Sequence, residues 1–139
     1  MHDRSNFTDP VDFFDPARHG FARVSVAVPR CRVADPAFNA EQSIELLHRA
    51  ARDGAALVLF PELGLSAYTC DDLFHQRALL DGCEAALARI VEASAGVRAV
   101  AVVGLPLRVD HSLFNCAAVV QRGRVLGIVP KTYLPNYGE

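Results

Sequence analysis

What most restricts the fold of this chain is a repeated switch of hydrophobic period between residues 21 and 104. Phe21–Val28 alternates, with Val24, Val26 and Val28 on one side, which predicts a strand ended by Pro29. Asp35-Pro36 opens a turn, and Asn39 followed by Gln42 has the form of a helix-start box. Ala40, Ile44, Leu47 and Ala51 then make one apolar stripe on a helix closing at Gly54. Ala55–Phe60 lacks polar alternation, so a strand covered on both faces is expected there. The helical period returns with Leu80, Cys83, Leu87, Ile90 and Val91 on one side, opposite Asp81, Glu84 and Arg89. Val97–Gly104 is a third apolar strand, and Leu113–Gln121 and Arg124–Val129 read as a hairpin about Arg122-Gly123. The order β-α-β-α-β and then a hairpin specifies an α/β fold, a parallel sheet with crossover helices and an antiparallel addition.

A length of 139 residues suits one domain, and 51% hydrophobic against 22% charged residues marks a globular chain. The net charge of −2 gives no basic footprint, so nucleic acid is not an expected partner. Ala55–Pro61 and Ala99–Leu107, the longest apolar runs, fall short of the roughly 20 residues of a membrane helix. The first residues carry Asp3, Asp9, Asp12 and Asp15 without an apolar stretch, which argues against a secretory signal. Residues 1–18 are expected to be an extended or mobile arm and residues 19–139 the domain. Cysteines 31, 70, 83 and 116 and the five scattered histidines have no metal-ligand spacing. Reduced thiols in a cytoplasmic protein are therefore expected, with no metal site. The chain also lacks a Gly-rich phosphate loop and a Gly-x-Ser-x-Gly elbow.

Chemistry concentrates in two places. Ligands of open α/β sheets gather at the carboxyl ends of strands, and two strand ends here share one design: an apolar run, a proline, then a charge. These are Glu62 in "LVLFPELGLSAY" and Lys131 in "GIVPKTYLPNYGE". If the two meet, each charge offsets the burial cost of the other; ordinary solvated loop charges are the alternative. A nucleophile is the natural third member, and cysteine the suitable type. Proton transfer from a free thiol to a free glutamate is uphill by about 4 units, or about 6 kcal/mol. Burial of the acid and an ammonium near the thiol would both narrow that gap. Cys83 lies on a core stripe, Cys116 in a strand and Cys31 in a loop, which leaves Cys70 as the best local candidate without any mark of activation. Tyr68, Tyr133 and Tyr137 all fall in the two loops, either as interface packing or as a pocket lined by rings with polar tips.

"LFPELGLSAY" and "PKTYLPNYGE" resemble the Glu and Lys motifs of the carbon–nitrogen hydrolase (nitrilase) superfamily. With "HGFARVSVAVP" and "VVGLPL", the chain from about His19 onward is similar to the amino-terminal glutaminase domain of glutamine-dependent NAD synthetases. The resemblance implies a nitrilase-like α-β-β-α sandwich of which about the first half is present. It implies Glu62 as general base, Lys131 as the group that stabilises the oxyanion, and Tyr68 and Tyr137 in a pocket for L-glutamine. It places the nucleophilic cysteine after the Lys motif, so the domain is expected to be truncated before it and the chain inactive alone. A carboxy-terminal synthetase domain would use ATP and Mg²⁺ to amidate deamido-NAD; this chain itself is expected to hold no cofactor. The full-length enzyme would be a homo-oligomer. A stand-alone amidase for another small amide and a non-catalytic truncated module are the alternatives.

Overall fold

The computed structural model describes residues 13–133. Five strands form one sheet in the order β1-β2-β3-β4-β5: β1 Val24–Val26, β2 Leu57–Leu59, β3 Val100–Val109, β4 Ser112–Gln121 and β5 Arg124–Pro130. The first three run parallel, joined through helices α1 (Pro36–Arg52) and α2 (Arg77–Ala93), and the last two continue antiparallel. The mixed α/β architecture read from the period switches is thus the observed one. Among the described residues no helix is long and apolar enough to cross a membrane.

Local chemistry sets the element ends. The α1 start lies earlier than the Asn39–Gln42 box suggests: Asp35 is the cap, accepting from the Phe38 N–H at 3.1 Å, and Pro36 occupies the first turn. Asn39 is then a fully buried residue inside the helix, with a structural task described below. Gly54, at φ +78°, follows the helix in the left-handed region as its position in sequence foretold. At the β4–β5 turn, Arg122 and Gly123 have φ of 49° and 73°, the double positive pair of a tight hairpin. β3 and β4 also form a hairpin, turning at Asp110 with φ 55°, a connection the periodicity did not reveal. Of the expected arm, residues 1–12 lie outside the described residues, and Pro16–His19 is a single 3-10 turn in which the Asp15 carboxylate accepts from the Ala17 N–H.

Both helices lie on one side of the sheet. Leu47 and Ala40 of α1, and Cys83 and Ile90 of α2, are buried together with Val58, Ala101, Val103, Leu105, Ala118 and Val120. Because side chains alternate along a strand, the intervening residues point the other way. There Val24, Val26 and Leu59 are 60%, 75% and 43% exposed, and Val129 at the other edge is 61% exposed. The expectation that β2 is covered on both faces is therefore corrected. Apolar residues occupy its second face, but among the described residues nothing is packed over it.

Candidate active site

The site is built by the loop that follows β2. β2 and β5, which end in the two proline–charge steps, are not neighbours; β3 and β4 lie between them. The chain closes this gap by laying the loop across β3. Phe60 N–H still bonds to the Val102 carbonyl at 3.0 Å, then Pro61–Leu63 passes over Gly104, and Leu65 N–H bonds to the Gly104 carbonyl at 3.1 Å. A Cβ at position 104 would stand 2.5 Å from the Pro61 oxygen, 2.6 Å from the Leu63 nitrogen and 2.9 Å from the Glu62 Cα. Only glycine lets the two backbones approach so closely. Alternation puts Gly104 and Pro106 on the same side as Val100 and Val102, so the acid reaches over the face of the sheet that the helices leave open.

Glu62 meets its partners there. Lys131 Nζ lies 2.7 Å from Glu62 Oε1, and Asn115 Nδ2 donates to the same oxygen at 2.5 Å. The two positions 131 and 62 converge as their shared design suggested. Lys131 follows the last residue of β5, and its N–H bonds to the Asn115 carbonyl at 2.8 Å. Asn115 in turn faces Pro106 in the β3–β4 register. The ammonium beside Glu62, reinforced by the Asn115 amide and opposed by modest burial, holds the carboxyl below the usual glutamate value of 4.5. The expected upward shift by burial is corrected, because the Glu62 side chain is 42% exposed and its donors outweigh desolvation.

The loop is held from behind. Asn39 accepts from the Arg32 N–H at 2.8 Å and donates to the Arg32 and Leu65 carbonyls at 2.8 and 3.0 Å, joining the loops after β1 and β2. Buried Ser66 has its hydroxyl 3.1 Å from the Leu63 carbonyl and 2.9 Å from that of Ala67. Three non-glycine residues here, Leu63, Ala67 and Asp71, have φ of 51°, 72° and 46°. Such conformations cost of order 1 kcal/mol or more each and persist where surrounding bonds over-determine them, often at functional sites.

A pocket of about 540 Å³ opens beside the pair, with Glu62, Tyr68, Phe74, His75, Asn115 and Lys131 in its walls. Tyr68 lines it as expected, whereas Tyr133 is 88% exposed and not among its walls, and Tyr137 lies outside the described residues. A larger hollow of about 870 Å³, between His48, Arg52, Arg98 and Gln121, is lined by none of the candidate site residues Glu62, Tyr68 and Lys131. None of the four cysteines lines the pocket. Cys70, the best local candidate, is buried, and its thiol donates to the Ser66 carbonyl at 3.0 Å. Burial raises its pKa and those of Cys31 and Cys116, and pushes Cys83 up to about 12. That is the reverse of an activated thiol. Among the described residues no group of three His, Cys, Asp or Glu side chains could hold a metal ion.

Two residues central to this geometry were missed in the sequence, Asn115 and Gly104. Their signals were present but weak: a lone amide in the apolar run "LFNCAAVV", and a glycine inside the strand "VVGLPL".

The carbon–nitrogen hydrolase family model matches residues 23–138, and the chain belongs to that family. Within it, the resemblance to glutamine-dependent NAD synthetases is borne out. The chain is 45% identical over 129 residues to the glutamine-dependent NAD(+) synthetase of Mycobacterium tuberculosis, which covers 93% of this chain and 19% of that protein. It thus spans about a fifth of the length of this curated relative. The solved synthetase of Acinetobacter baumannii, in complex with ADP, superposes with a TM-score of 0.72 at 31% identity over 81% of this chain and 22% of its own. An amidase from Nesterenkonia sp. shares the fold, with a TM-score of 0.73 at 24% identity over 85% of this chain and 45% of its own.

Proposed function

We propose that this chain is the front part of the amino-terminal glutaminase unit of a glutamine-dependent NAD synthetase, with Glu62 and Lys131 as two members of its catalytic triad. The observation that carries the reading is the 2.7 Å contact between Lys131 and Glu62 in the wall of the pocket. Its support from relatives is the synthetase identity of the proteins it is similar to.

Glu62 is ionised at neutral pH, the state a general base requires. It takes the proton of a cysteine thiol, and the thiolate sulfur attacks the side-chain amide carbon of L-glutamine. The Lys131 ammonium faces the oxyanion that forms. Glu62 then returns the proton to the leaving ammonia and a thioester remains; water attacks it while giving a proton to Glu62, the C–S bond breaks to release glutamate, and Glu62 passes that proton to the departing sulfur. Tyr68, in the pocket wall, contributes to holding the glutamine. In this reading the nucleophile is none of the four thiols here, each of which is raised in pKa and none of which lines the pocket. The chain alone is accordingly inactive. In the complete enzyme the ammonia would pass to a synthetase domain, which would use ATP and Mg²⁺ to amidate deamido-NAD.

The test is a pair of substitutions in the complete enzyme that contains this segment. Glu62→Gln and Lys131→Ala should each lower glutamine-driven NAD synthesis by about 10² or more, while synthesis from free ammonia stays near wild type. Loss of both activities would show that these residues hold the fold rather than run the reaction. Turnover of another small amide but not of glutamine would replace this reading by that of a stand-alone amidase.

A further inference from the structure

Asn115 contacts the acid directly yet has no part in the reaction as set out above. It donates to Glu62 Oε1 through Nδ2 at 2.5 Å, while its own carbonyl accepts the Lys131 N–H at 2.8 Å. One residue therefore fixes both charged groups, the acid by its side chain and the lysine by its backbone. Only the NH₂ end of the amide can face a carboxylate, so the orientation is set by chemistry. The support is firm, because Asn115 lies within β4, opposite Pro106 of β3, whose side chain is fully buried. Asn115 Nδ2 and Lys131 Nζ both address Oε1, the same oxygen of the carboxylate.

We propose that Asn115 is a positioning residue for the general base: with Lys131 it pins Oε1 and so presents Oε2 as the oxygen that exchanges the proton. This rests on the glutaminase reading for the proton's origin, but not for the contact itself. A carboxylate fastened at one oxygen by two donors is restrained about its last bond, so its second oxygen keeps one direction. Reaction geometry of this kind is sensitive to shifts of about 1 Å. The Asn115 donor also favours the charged form of Glu62, which gives the role a signature in pH.

The experiment compares wild type, Asn115→Ala and the isosteric Asn115→Asp in two measurements. In the complete enzyme, kcat/KM for glutamine should fall on the order of tenfold in Asn115→Ala, with ammonia-driven synthesis unchanged, and the acidic limb of the pH profile should move upward. Asn115→Asp should move it further, because two carboxylates then compete for ionisation. In the second measurement, ¹³C NMR follows the titration of the Glu62 carboxyl carbon, assigned with Glu62→Gln, and its midpoint should rise in the same order. An unmoved acidic limb and an unmoved Glu62 midpoint in either folded variant would overturn the proposal. A shifted midpoint in a protein that never uses glutamine would uphold Asn115 as the group that holds Glu62 and sink the glutaminase reading alone.

Discussion

At the scale of single residues, the Glu62–Lys131 pair carries both charge and geometry. Its side chains are 42% and 34% exposed, so solvent screens the attraction and the pair contributes about 1 kcal/mol or less to stability. The folded Glu62 value is depressed below 4.5, so its contribution is present above that value and lost as pH falls through the lower folded one. The stability difference between wild type and Glu62→Gln, measured by urea unfolding, should thus be constant near neutrality and shrink below about pH 4.5. A difference that grows on acidification would mean that burial, not Lys131, governs the acid. The convergence of these two residues was legible in sequence because each follows an apolar strand and a proline. Asn115 was not, because a single amide in an apolar strand looks the same whether it faces solvent or a carboxylate.

At the scale of elements, the site depends on a loop crossing a strand. Glu62 follows β2, with two strands between it and β5, and reaches Lys131 only because Gly104 of β3 lets Pro61–Leu63 lie against its backbone. Gly104→Ala would set a methyl 2.5 Å from a main-chain oxygen that has no rotamer by which to retreat. We expect a loss of about 1–3 kcal/mol in denaturant unfolding, with Glu62 displaced from Lys131 and glutamine use reduced. Retention of both stability and glutamine use would show that the loop has slack that the contact distances deny. The end of α1 and the β4–β5 turn were readable because their causes are local: Gly54 and Gly123 supply positive φ. The start of α1 was misplaced at Asn39 for the opposite reason. Its bonds run to Arg32 and Leu65, and spacing within the helix does not record them.

At the scale of the whole molecule, one face of the sheet is filled by two helices, and on the other Val24, Val26, Leu59 and Val129 are exposed among the described residues. A large exposed apolar patch of this kind promotes association. In the 139-residue chain, Val26→Lys with Val129→Thr should leave stability within about 0.5 kcal/mol per site and reduce self-association in sedimentation velocity. In the complete enzyme the same pair of changes should cost several-fold more, if the remaining part of the protein packs on this face. Equal and negligible cost in both would mean that the face stays in water.

The sequence by itself determined the alternation of strands and helices, the side on which each helix is apolar, and the two residues whose charges matter. Those properties follow from period and composition, which act over a few residues. Tertiary structure alone decided that the acid crosses two strands to meet its lysine, that Asn115 joins them, and that Glu62 is a depressed rather than a raised carboxylate. Each of these turns on which groups from distant segments come within about 3 Å, where hydrogen bonds act. No local pattern encodes such distances, because they are set by the register of β3, β4 and β5 together.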